Sequence, residues 1–81
     1  MKLTVLLFAK LRDAAGSEAV TLELPTGATV ADLRRHLAGT FPEATGLLER
    51  SAVAVNHDFA DGSRALAAGD EVAIIPPVSG G

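Results

Sequence analysis

Four short segments of the chain carry strand patterning and one carries a long helical period, and that ratio constrains the fold more than any single residue does. Lys2-Leu3-Thr4-Val5-Leu6-Leu7-Phe8 is dense in large apolar and β-branched residues and reads as a strand. Val20-Thr21-Leu22-Glu23-Leu24 alternates apolar and polar until Pro25 stops it, so one of its faces is buried. The connection between them is short, with a helical turn over residues 11–15 stopped by Gly16, and predicts an antiparallel pair. Residues 51–56 alternate small and branched apolar side chains. Glu71–Ile75 forms a last strand before Pro76-Pro77, which cannot donate ladder hydrogen bonds.

The helical segment opens at Thr29, an N-cap residue with Asp32 three positions later. Val30, Leu33 and Leu37 recur at helical spacing, while Asp32, Arg35 and His36 fall on the opposite, solvated face. Gly39 and Pro42 are expected to close it, and residues 44–50 to add a short helix anchored by Leu47 and Leu48. Asp61-Gly62 and Ala68-Gly69-Asp70 are turn signals. The order is β-β-α-β-(short β)-β: a mixed α+β sheet of four or five strands with one main helix across one face, a roll of the β-grasp kind. The pattern assigns residues 1–75 to this domain and residues 76–81 to an extended tail.

Strand parity has a functional consequence. If Leu3, Val5, Leu7, Val72 and Ile74 face the helix, then Leu6, Phe8 and Ile75 face outward. The outer face then presents an apolar patch, which either meets a partner or is covered by a loop or the short helix.

Composition removes most other functions. The 81 residues have no cysteine, so disulfides, thiolate metal sites and cysteine nucleophiles are excluded. Seven basic and ten acidic residues give a net charge of −3, with no basic cluster beyond Arg34-Arg35 and only three aromatic residues. A nucleic-acid surface needs a basic stripe and stacking aromatics, so no nucleic-acid partner is expected. The longest apolar run, residues 5–9, falls far short of a membrane span of about 20 residues. With no signal-peptide pattern, the chain is expected to be cytoplasmic. His36 and His57 lack metal-ligand spacing, and neither a GxSxG nor a phosphate-cradling glycine loop occurs. The chain is poorly equipped to be an enzyme on its own.

What remains is Pro76-Pro77-Val78-Ser79-Gly80-Gly81. The prolines stiffen its base, and six residues at ~3.3 Å each reach roughly 20 Å. The final glycines bear no side chains and tolerate a narrow passage. A bland reading is a frayed terminus of small residues. The alternative is a carboxylate threaded into another protein's active site. An unhindered carboxylate there can attack the α-phosphate of ATP to form an acyl-adenylate, with the nucleotide held by the partner.

The tail with Gly69-Asp70-Glu71-Val72-Ala73-Ile74-Ile75, the opening Val5-Leu6-Leu7-Phe8-Ala9-Lys10-Leu11-Arg12-Asp13, and Ala54-Val55-Asn56 before a turn resemble the small subunit of molybdopterin synthase, the MoaD family of ubiquitin-like sulfur carriers. The resemblance spans essentially the whole chain, and the PPVSGG end is its most specific part. It implies a β-grasp fold and a terminal Gly81 that a MoeB-type, E1-like enzyme adenylates with ATP and that becomes a thiocarboxylate. It implies insertion of the tail into a MoaE-like large subunit and donation of sulfur to cyclic pyranopterin monophosphate. No bound cofactor is implied; the sulfur is carried covalently on Gly81. Carried over by position, Gly80 is the slender residue behind the reactive one. Phe8, Arg12, Ile75, Pro76, Pro77, Val78 and Ser79 are the partner contacts. Arg12 reads equally as a solvated charge, and Ile75 departs from the aromatic residue sometimes found there. Carriers for thiamin or cysteine synthesis, a ubiquitin-like conjugation module, and a regulatory domain with an inert tail remain as other readings.

Overall fold

The computed structural model describes residues 1–77. Along the chain run β1 (Lys2–Leu7), α1 (Ala9–Ala15), β2 (Ala19–Glu23), α2 (Val30–Thr40), a 3-10 turn (Pro42–Ala44), α3 (Thr45–Arg50), β3 (Ala52–Val55), β4 (Asp58–Ala60) and β5 (Glu71–Ile75). The sheet order is β2-β1-β5-β3-β4. β1 and β2 form the expected antiparallel pair, whereas β1 and β5 run parallel at the centre and make the sheet mixed.

Alternation decides which face is buried. Leu3, Val5 and Leu7 of β1 and Val72 and Ile74 of β5 are buried, as are Val53 and Val55 of β3. They form one cluster with Val30, Leu33 and Leu37 of α2, Leu11 of α1 and Leu48 of α3. Each large aliphatic side chain so buried contributes on the order of 1.5–3 kcal/mol. All three helices put their buried residues into this cluster, so they lie on one side of the sheet. This is the β-grasp architecture of an α+β fold.

Local chemistry sets the boundaries. Thr29 and Asp32 form a reciprocal capping box: the Asp32 N–H donates to the Thr29 hydroxyl at 3.4 Å, and the Thr29 N–H to the Asp32 carboxylate at 2.9 Å. α2 does not stop at Gly39 but continues to Thr40. The Thr40 hydroxyl donates to the His36 carbonyl, and the half-buried Phe41 caps the end with its N–H on the Leu37 carbonyl. Packing of Phe41 against the core overrides the glycine signal. α1 starts two residues before the expected turn, with Phe8 as its extended N-cap, and ends at Gly16 with φ +73°. Ala9, its first residue, has φ +51°, a left-handed conformation that costs a non-glycine residue roughly 1–2 kcal/mol.

Candidate functional site

The strand register arranges the outer face of the sheet into rows. Lys2 and Glu23 pair at one end, followed by Thr21, Thr4 and Glu71. The next row is Ala19, Leu6, Ala73, Ala54 and Phe59, each opposite its neighbour across successive strands. Beyond it Ile75 pairs with Ala52, and Phe8 follows the last residue of β1. Along the strands the face therefore passes from charged, through polar, to apolar. The apolar end is the one from which the chain leaves β5 into Pro76-Pro77.

A depression of about 300 Å³ opens in this apolar end. Ala54 is buried and Leu6 and Ala73 are half-buried, giving a shallow floor of mostly small side chains. Phe8, Phe59 and Ile75 surround it and stay exposed by 46%, 76% and 36%. Ala54 is buried yet stands outside the cluster that contains Val53 and Val55, as its opposite parity requires. The outward patch expected from parity is present, and no described helix packs over it.

The rim is polar. Asn56 and His57 form the β3–β4 turn with φ of +52° and +73°, and His57 Nε2 lies 2.5 Å from Glu71 Oε2. Behind them the Asn56 amide donates to Asp70 at 3.0 Å, and its oxygen accepts the Glu71 N–H at 2.9 Å. The Ala67 N–H and the Asn56 amide hold the Asp70 carboxyl below the usual range by stabilising its charged form.

The structure brings Phe8 and Ile75 together at the depression and places Pro76, half-buried, and Pro77, exposed, directly after it. Arg12 is exposed on α1, outside the lining of the depression. Val78, Ser79, Gly80 and Gly81 lie outside the described residues. Phe59 was not singled out from the sequence as a contact, although it is the most exposed large apolar residue described. The signal was there: a two-residue Asn56-His57 turn after an alternating strand places Phe59 opposite Ala54, on the outer face.

Among the described residues, no group of three or more His, Asp or Glu side chains is arranged to hold a metal ion. No described helix is long and apolar enough to cross a membrane. Among the described residues, the outer face presents an apolar depression beside the point where the chain leaves β5.

Comparison with known proteins gives the same outline. The molybdopterin synthase sulfur carrier subunit of Chlamydomonas reinhardtii is 40% identical, with both chains covered in full. The crystal structure of SAMP1 from Haloferax volcanii superposes with a TM-score of 0.87 at 35% identity, again covering both chains in full. A chain in the complex of subunits 1 and 2 of the molybdopterin-converting factor from Helicobacter pylori shares the fold, with a TM-score of 0.72 at 23% identity over the whole of each chain. The ThiS family model matches residues 5–81, and with relatives of this similarity over their full length the chain belongs to the ThiS family.

Proposed function

We propose that this protein is the sulfur carrier subunit of a molybdopterin synthase, docking through the outer sheet face and delivering its C-terminus to its partners' active sites. The observation that carries this reading is the coincidence of the apolar depression with the end of the sheet where Pro76-Pro77 depart. A partner seated on Phe8, Phe59 and Ile75 is thereby seated beside the base of the tail. The full-length likeness to a molybdopterin synthase sulfur carrier subunit supports the pathway.

The chemistry falls on Gly81. A MoeB-type enzyme holds ATP; the Gly81 carboxylate oxygen bonds to the α-phosphorus as the bond to pyrophosphate breaks. Hydrosulfide from a sulfur donor then attacks the carbonyl carbon of the acyl-adenylate, AMP leaves with the bonding pair, and the S–H proton passes to solvent. The resulting thiocarboxylate stays anionic, so the large subunit supplies basic groups around it. With a net charge of −3, the carrier complements such a partner in sign. Gly80 keeps the approach slender. The part this reading assigns to the small subunit is position.

A relative named small archaeal modifier protein 1, 39% identical over 83 residues, supports a second reading, a ubiquitin-like conjugation module in which Gly81 is joined to a partner's lysine. Intact-mass measurement after incubation with the activating enzyme, ATP and a sulfur donor separates the two. Replacement of one oxygen by sulfur is the expected result, and accumulation of covalent adducts with other proteins favours conjugation. An unchanged mass beside an active enzyme refutes both.

A further inference from the structure

We propose that Arg34 is a positioning residue for the tail, fixing the corner that sets the direction in which Pro76-Pro77 leave the sheet. The inference rests on the reading of the tail as the reactive element.

Arg34 and Arg35 are neighbours on α2 with different tasks. Arg35 is exposed and pairs with Asp32 on its own helix. Arg34 is half-buried and reaches across to the end of α3. Its Nη1 donates to the Leu48 carbonyl at 2.6 Å and its Nη2 to the Ser51 carbonyl at 2.8 Å. Carbonyls at a helix C-terminus lack intrahelical donors and attract positive charge, and the planar guanidinium can serve two at once. The same corner is closed by the buried Ser51, whose hydroxyl donates to the Leu47 carbonyl at 2.7 Å and whose N–H donates to Leu48 at 3.2 Å.

The next residue is Ala52, and Ala52 pairs with Ile75. On the other side of β5 the ladder with β1 ends one residue earlier, at Leu7 and Ile74. Ile75 is therefore held laterally by β3 alone, and Pro76 and Pro77 have no N–H with which to extend either ladder. The direction of the tail depends on where Ala52 sits, and Ala52 follows the corner that Arg34 clamps. Capping α3 alone does not require an arginine, because the hydroxyl and backbone of Ser51 already serve that end. The second fork of the guanidinium, on the Ser51 carbonyl, is what reaches the strand.

The test is pyrophosphate release by a MoeB-type adenylating enzyme with Arg34→Met and Arg34→Lys, well below the thermal transition of each. Misdirecting the tail at Ile75, while Leu6 and Phe59 of the docking face stay in place, lowers kcat, by about tenfold to a hundredfold for Arg34→Met, with KM within about twofold. Arg34→Lys, a point charge that serves one carbonyl at a time, falls between. Amide NMR of Arg34→Lys, the variant that keeps the charge, is expected to shift at Ala52 and Ile75 and not at Leu6 or Phe59. An unchanged kcat in a folded variant, or a loss confined to KM, overturns the proposal. Failure of the wild-type chain to release pyrophosphate beside an active enzyme refutes the tail reading itself, and this proposal with it.

Discussion

The side-chain amide of Asn56 donates to the Asp70 carboxylate at 3.0 Å while its oxygen accepts the Glu71 N–H at 2.9 Å, so one residue ties the β3–β4 turn to the first residue of β5. Its own N–H donates to the Glu71 carbonyl at 2.7 Å. Asn56 also sits at φ +52°, where asparagine is among the better tolerated non-glycine residues. These two roles separate by substitution. Asn56→Gly keeps the backbone conformation and loses the side-chain bonds, at a cost of about 1 kcal/mol. Asn56→Ala loses the bonds and strains the turn, adding roughly 1 kcal/mol more. Urea denaturation checks the order, and equal midpoints for the two variants refute the separation.

Phe59 is expected to contribute little to folding and much to docking. Its ring is 76% exposed, so Phe59→Ala removes almost no buried surface and leaves the thermal midpoint nearly unchanged. Covered by a partner beside Phe8 and Ile75, the ring becomes a central aromatic anchor. Truncating such an anchor costs about 2 kcal/mol or more of binding, roughly thirtyfold in Kd. Calorimetric titration against the large subunit measures it. An unchanged Kd means the partner sits elsewhere.

Acid should loosen α2 and the turn before β5. The Thr29 N–H, then its hydroxyl, hold the Asp32 carboxyl below the ordinary value of 3.8, with Arg35 adding to the effect. Asp70 is lowered likewise by the Ala67 N–H and the Asn56 amide. A carboxyl whose folded-state pKa is depressed contributes stability that is fully present above its unfolded value and is lost as pH falls through the folded one. For these two carboxyls the loss therefore begins near the ordinary value of 3.8 and continues below it. Asp32→Asn keeps a hydrogen-bond acceptor at the cap but removes the titration. Its stability between pH 5 and pH 2, followed by circular dichroism, should fall less steeply than that of the parent chain; an identical slope refutes the assignment.

Features with a local cause could be read from the residues. The Thr29–Asp32 box, the turn at Gly16 and the inward parity of Leu3, Val5 and Leu7 each depend on spacing along one element. What escaped depends on elements far apart in sequence. Gly39 reads as a stop, yet α2 runs through it because Phe41 finds the core. Arg34 reads as half of a basic pair, and only the fold shows that it reaches residues 14 and 17 positions away. Ala9 carries no signal for its left-handed backbone. The outward apolar rows were legible for β1 and β5, whereas the place of Phe59 among them needed the β3–β4 pairing.

Removal of Gly81 should abolish sulfur loading and leave the domain's stability as it is. Among the described residues, every buried member of the core cluster lies between Leu3 and Ile74, so the fold's hydrophobic stabilisation is assembled before the tail begins. The described lining of the depression likewise ends at Ile75. A chain ending at Gly80 is therefore expected to keep its thermal midpoint and its affinity for the activating enzyme. Its carboxylate, one residue short by about 3.3 Å, cannot meet the α-phosphate, and a misplacement of that size forfeits the effective concentration on which the reaction depends. The truncated chain should then act as a competitive inhibitor of the intact one in the pyrophosphate-release assay. Loss of the thermal transition on truncation would make the tail structural, and retention of sulfur loading would move the reactive carboxylate away from Gly81.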